Sequence, residues 1–133
     1  MKGLNRKLGD VYVFPLLRGR FAYGRVYRDA SLGFYRARTT EPDRPPIGSR
    51  DFAFFVGVES EAIKRLRVVG SDPFGPGEDD WPPPASIRDV ITGRYQIYQY
   101  GKIRPSTVEE AAHLEPAAVW GLSLLQSRLD RGE

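Results

Sequence analysis

Apolar residues in the first part of the chain gather into runs of strand length. Gly9-Asp10-Val11-Tyr12-Val13-Phe14-Pro15-Leu16-Leu17 and Arg20-Phe21-Ala22-Tyr23-Gly24-Arg25-Val26-Tyr27 flank Arg18-Gly19. Glycine tolerates the positive φ of a tight turn, so the pair predicts a β-hairpin. In the first run Val11, Val13 and Leu17 share one face, and Tyr12, Phe14 and Leu16 the other. A strand apolar on both faces is covered on both sides, which places it inside a sheet or small barrel. Pro15 lacks an N–H and belongs at an edge or bulge. In the second run Ala22, Gly24 and Val26 make a small side, where another group approaches closely.

Further along, residues 32–40 read as a third strand, with Arg36 and Arg38 alternating toward solvent. Prolines and Gly48 mark 41–50 as a loop. Phe52-Ala53-Phe54-Phe55-Val56-Gly57-Val58 is the most apolar run and predicts a central strand. Residues 60–70 fit a helical turn or a strand equally. Residues 71–84 hold five prolines and two glycines, which forbid a helix or a central strand. They read as a loop strapped over the core by Phe74 and Trp81. Two more strand-like runs follow, with Gly93 at a bend and Tyr100-Gly101-Lys102 at a turn.

The period then changes. Ser106-Thr107-Val108-Glu109 has the capping-box pattern, predicting a short helix through Leu114. Pro116 suits the first turn of a second helix, whose stripe is Ala118, Leu122, Leu125 and Leu129, widened by Trp120. The expected fold is α+β. It is a single domain over residues 1–133, with a β-rich part over 8–100 and two C-terminal helices over 106–130. Its sheet is twisted and mainly antiparallel, open or partly closed as a small barrel.

Composition narrows the function. With 133 residues the chain is long enough for one core, and with no cysteine it holds neither disulfides nor thiolate metal sites, as suits a cytoplasmic protein. No run reaches the roughly 18 apolar residues of a membrane helix, and the basic start leads into no apolar stretch like that of a signal peptide. The net charge of +3 hides an asymmetry: residues 1–50 carry 11 Lys and Arg against 4 acids, residues 51–133 carry 9 against 13. Either the first half offers a nucleic-acid face, or its arginines pair with acids from the second half. Their spacing along strands favours pairing.

Catalytic constellations are hard to find. His113 is the single histidine, which excludes sites built on paired histidines. Asp79 and Asp80 lack a ligand-spaced third carboxylate. Asp10, Tyr23 and Arg25 would be the residues of a small nuclease. Tyr23, Tyr27 and Tyr35 beside Arg25, Arg36 and Arg38 would be those of a nucleic-acid-binding barrel. The residues argue instead for a binding protein without cofactor or metal.

Gly9-Asp10-Val11-Tyr12-Val13-Phe14-Pro15-Leu16 followed by Tyr23-Gly24-Arg25-Val26 resembles the opening of the immunity protein 26 family. Gly93-Arg94-Tyr95-Gln96-Ile97-Tyr98, Arg104-Pro105-Ser106-Thr107-Val108-Glu109-Glu110 and Leu114-Glu115-Pro116-Ala117-Ala118-Val119-Trp120 resemble its second half, and the blocks keep their order over residues 8–130. The resemblance implies a cytoplasmic, non-enzymatic inhibitor that binds and neutralises a cognate polymorphic toxin. It implies no site residues. The candidate surface for such a partner is Glu78, Asp79, Asp80 and Trp81, where charge steers association and an indole anchors it. The alternative is a basic face of Arg20, Arg36 and Arg38, suited to an acidic toxin.

Overall fold

The hairpin forms as its pattern requires, and a six-stranded sheet grows around it. β1 (Asp10–Pro15) pairs antiparallel with β2 (Phe21–Val26), Val11 opposite Arg25 and Val13 opposite Tyr23. A 3-10 turn, Leu17–Gly19, joins them, with Arg18 and Gly19 both at positive φ. The structure, a computed structural model, describes residues 7–132; the N-terminal residues 1–6, where no leader is expected, lie outside these. Pro15 ends β1, beyond the last residue paired to its other neighbour.

That neighbour is β5 (Arg67–Ser71). On the far side come β3 (Leu32–Tyr35), β4 (Phe52–Val58) and the two-residue β10 (Val119–Trp120), giving the order β10-β4-β3-β2-β1-β5. A second sheet contains β6 (Ala85–Arg88), β7 (Tyr95–Gln99), β8 (Lys102–Ser106) and the two-residue β9 (Glu115–Pro116), in the order β8-β7-β6-β9. Pairing is antiparallel except for β10 on β4 and β9 on β6. Three helices, α1 (Ser60–Ile63), α2 (Val108–Ala111) and α3 (Leu122–Asp130), complete an α+β fold. Among the described residues both sheets stay open, so the small-barrel alternative is not realised.

Both faces of the hairpin are covered, as its two-sided apolarity demands. On one face Tyr12, Phe14, Ala22, Val26 and Phe34 pack with Ile63 of α1 and Leu125 and Leu129 of α3. On the other, Val11, Val13, Tyr23 and Tyr35 form a second cluster. The loop over 39–50 lies along it: the Tyr23 hydroxyl donates to the Glu41 carbonyl, and Pro45 and Ile47 crowd Gly70. Each apolar side chain so buried contributes roughly 1.5–3 kcal/mol. The small side of β2 has its reason too, since a Cβ on Gly24 would stand 3.1 Å from the Phe34 ring.

Several local expectations shift. The third strand stops at Tyr35 after a bulge, and the Arg36 N–H turns to the Asp51 carbonyl, so Arg36 and Arg38 leave the sheet. Residues 60–70 are both things in turn, helix α1 and then strand β5. The capping box sits one residue late. Ser106 is still extended opposite Tyr95, so Thr107 caps α2 by accepting from the Glu110 N–H at 3.1 Å, and Glu110 Oε1 accepts from the Thr107 N–H. Pro116 opens no helix: it lies in β9 opposite Ser86, and α3 begins only after Gly121. Ala118 and Trp120 therefore precede the helix, leaving Leu122, Leu125 and Leu129 as its stripe. Residues 115–120 run from the second sheet to the first and staple the two together.

Candidate functional site: a closed polar network and an open cleft

Arg25 is the largest fully buried side chain, at 0% exposure. Its β2 position faces the cluster of Val11 and Tyr23, and a guanidinium there must find partners for all its donors. It finds them in the loop over 72–78 and in the Tyr27 hydroxyl. Nε donates to the Asp72 carbonyl at 2.9 Å, Nη2 to the Pro73 carbonyl at 3.2 Å, and Nη1 to Glu78 Oε2 at 2.9 Å and to the Tyr27 hydroxyl at 3.2 Å. The Phe74 ring covers the guanidinium plane at 3.6 Å, a close cation–π contact.

Arg50 closes the network from outside. It donates to both carboxylate oxygens of Asp72, at 2.9 and 3.2 Å, and reaches Glu78 Oε2 at 2.8 Å. Asp72 also accepts from the Tyr35 hydroxyl and the Gly48 N–H. The backbone is as tightly placed. Gly9, at φ +84°, approaches so closely that a Cβ would lie 2.9 Å from the Asp72 carbonyl oxygen, and its own carbonyl accepts the Asp72 N–H.

Electrostatics follow from these contacts. The Arg25 hydrogen bond, aided by the Gly75 N–H and Arg50, holds the Glu78 carboxyl down at about 2. Burial pushes the Asp72 carboxyl up, but the bonds from Arg50, Tyr35 and Gly48 outweigh it and leave it below the ordinary aspartate value. Burial, then the bond to Asp72, raises Tyr35.

The four residues of the candidate acidic surface diverge. Glu78 turns inward to Arg25. Asp79 accepts from the Trp81 N–H and, at 2.9 Å, from the Tyr100 hydroxyl. Asp80 turns back to Arg28, with Nε on Oδ1 at 2.8 Å and Nη2 on Oδ2. Trp81 stands edge-on to Tyr100 and lies over Gly101, which takes a positive φ in the β7–β8 turn. Phe74 thus fastens the loop to the first sheet and Trp81 fastens it to the second. What faces solvent is Asp79 beside Trp81 and Tyr100.

The basic face, by contrast, is gathered. Burial and the neighbouring charges of Arg20 and Arg36 lower the pKa of Arg38. Arg38 is spent on the carbonyls of Tyr35, Arg36, Ala37 and Leu129, Arg20 pairs with Asp130 at 3.5 Å, and Arg36 pairs with Asp51 at 3.1 Å. The charge asymmetry of the sequence has its explanation here: Arg20, Arg25, Arg28, Arg36 and Arg50 all take acids from residues 51–133.

The tyrosines and Arg25 of the nuclease and nucleic-acid readings lie in the interior, whereas Arg36 is exposed and Asp10 and Arg38 are half-buried. Val11 opposes Arg25, so Asp10 occupies the opposite face from Arg25 and Tyr23. Tyr23 and Tyr35 are wholly buried and Tyr27 nearly so, which leaves no ring face on which a base could stack. Among the described residues no three His, Cys, Asp or Glu are grouped as metal ligands, and no helix is long and apolar enough to cross a membrane.

An open cleft of about 520 Å³ lies where the two sheets meet. Phe55, Val56 and Gly57 of β4 face Ala85 and Ile87 of β6 across it. Pro82 and Pro83 of the strapped loop also line it, as do Ala117, Ala118 and Val119 of the staple. Its polar members are Asp29, Ser31 and Tyr98. Asp29 makes an Asx-turn, with Oδ1 accepting from the Ser31 N–H at 3.1 Å and hydroxyl at 2.6 Å, and Ala30 at positive φ. Oδ2 accepts from the Tyr98 hydroxyl at 2.8 Å. Burial and this bond raise Tyr98 to about 12, so it stays a donor at neutral pH. His113 lines a smaller adjoining pocket with Phe55 and Pro83.

Sequence reasoning did not single out Asp29, Arg50, Asp72 or Tyr98. The Asp29-x-Ser31 turn pattern was the available local signal; the partners of the other three lie far away in the chain. No family model, curated protein or solved structure matches this chain.

Proposed function

We propose that this protein is a cytoplasmic immunity protein, which neutralises a cognate bacterial polymorphic toxin by binding it. The resemblance to the immunity protein 26 family implies this role. The observation that carries it here is the commitment of Arg25, Tyr23 and Tyr35, the residues a catalytic or base-stacking reading needs, to fully buried structural positions. The surface offers contact groups instead. Val90 and Ile91 stand 95% and 90% exposed at the tip of the β6–β7 turn, which Asp89 fixes by accepting from the Ile91 and Thr92 N–H groups. Trp81, Tyr100 and Asp79 form a second such group, of the aromatic kind that dominates interface energetics.

The test is rescue of growth. The C-terminal domain encoded by the neighbouring reading frame is expressed with and without this protein. Growth restored only in its presence, with a complex that co-elutes on a sizing column, is the expected result. Toxicity that this protein does not relieve overturns the proposal.

A further inference from the structure

We infer that the cleft between the two sheets receives a lysine side chain of the bound protein. Its aliphatic stem lies between the Pro82–Pro83 wall and the Ala117–Val119 wall, and its ammonium rests on Asp29. The inference deepens the proposed function and rests on it, naming a part of the surface that makes the contact.

Three observations lead there. The first is size and lining: about 520 Å³, mainly apolar, falls within the roughly 300–1,000 Å³ of sites that enclose a ligand, and such walls suit methylene groups. The second is charge. No cation among the described residues forms an ion pair with Asp29, because Arg28, next to it in the chain, is taken by Asp80. A carboxylate set beside apolar walls attracts a cation more strongly than one in open water.

The third is the count of acceptors. An ionised carboxylate offers about four lone-pair positions. Ser31 fills both on Oδ1 and Tyr98 fills one on Oδ2, which leaves a single position. A guanidinium achieves its best geometry with two parallel bonds to both oxygens, whereas an ammonium is a point charge that needs one. With one position left by the protein's own donors, an ammonium fits better than a guanidinium, which would give up its second bond here.

The full chain, labelled with nitrogen-15, is titrated with N-acetyl-lysine-N-methylamide. The counterpart acetylated on the side-chain nitrogen serves as the neutral control. Saturable amide shifts at Asp29, Gly57 and Ala118 are expected, with a Kd on the order of 1 mM. The neutral probe and the Asp29→Asn variant should each weaken binding at least about tenfold, the size of one lost charge-assisted bond. Asn keeps the Oδ1 acceptor for Ser31, so the turn is retained. Ala118→Phe adds bulk to the Ala117–Val119 wall while keeping the Asp29 carboxylate, and it should abolish the shifts as well.

Shifts that do not saturate, equal binding of the neutral probe, or full binding by Ala118→Phe overturn the inference. Rescue of growth without probe binding overturns the cleft assignment alone. Probe binding with failed rescue overturns the proposed function alone and leaves an ammonium site in the cleft.

Discussion

Arg25 and Asp29 stand a few residues apart on one strand and the turn that follows it, yet their surroundings are opposites. Around Arg25 the donors meet carbonyls, carboxylates and an aromatic face, and the charges of Asp72 and Glu78 are met by Arg25 and Arg50. Around Asp29 only neutral donors gather, and one acceptor position stays open beside a cavity. The first arrangement resists change because each member satisfies another. The second leaves one carboxylate position without a protein donor, on the side of a cleft that a partner could enter. A full set of partners marks Arg25 as a structural part, and the carboxylate beside the cleft is the place where the proposed contact is to be tested.

The largest way to break this comparison is to open the closed side. Arg25→Met removes the buried cation, leaves the Asp72 and Pro73 carbonyls without their donor and takes from Glu78 one of its two arginines, and it should cost on the order of 3–5 kcal/mol in urea unfolding. If the loss is under about 1 kcal/mol, the network is not what holds the loop. Glu78→Gln keeps the shape and removes one charge. Roughly 1.5–3 kcal/mol should be lost, the scale of hydrogen bonds to charged groups, and limited proteolysis should show cutting within residues 72–80 before global unfolding.

Acid acts on the same groups. The Glu78 carboxyl lies at about 2 in the folded protein against an ordinary value of 4.5, and Asp72 is shifted the same way. The unfolded chain therefore binds more protons between those values, and stability falls as pH drops from about 4.5 toward 2. Thermal midpoints should be flat above that window and decline within it, and Glu78→Gln should flatten the decline. The smallest effect belongs to the exposed tip. Val90→Ser with Ile91→Ser should leave unfolding within about 0.5 kcal/mol of the parent. Any change it makes in toxin binding then reports contact rather than folding.

How much of this was legible in the chain depended on whether a signal was periodic. The apolar alternation of residues 11–17 and 21–27 announced a strand pair covered on both sides, and it is covered on both sides. The capping box was visible but misplaced by one residue, because Ser106 is claimed by its pairing with Tyr95 and only then does the helix begin. Pro116 was read for its compatibility with a helix start, a property it shares with short bridging strands. Glu78, Asp79 and Asp80 looked like one acidic patch because they are adjacent in sequence. In an irregular segment adjacency says nothing of direction, and the three point to Arg25, Tyr100 and Arg28. Asp72 and Glu78 reach Arg25 across about fifty residues, a pairing that no local pattern encodes.

The staple at residues 115–120 also sets a schedule. Chains are made from the N-terminus, and the hairpins of both sheets use neighbours in sequence that emerge together. β10 instead completes β4, which left the ribosome some sixty residues earlier, and the Ala117–Val119 wall of the cleft comes with it. A nascent chain halted before residue 115 has the strands of both sheets' hairpins and lacks the Ala117–Val119 wall. That wall of the cleft is therefore made well after the two sheets it joins, and the cleft takes its shape only once residues 117–119 have been added.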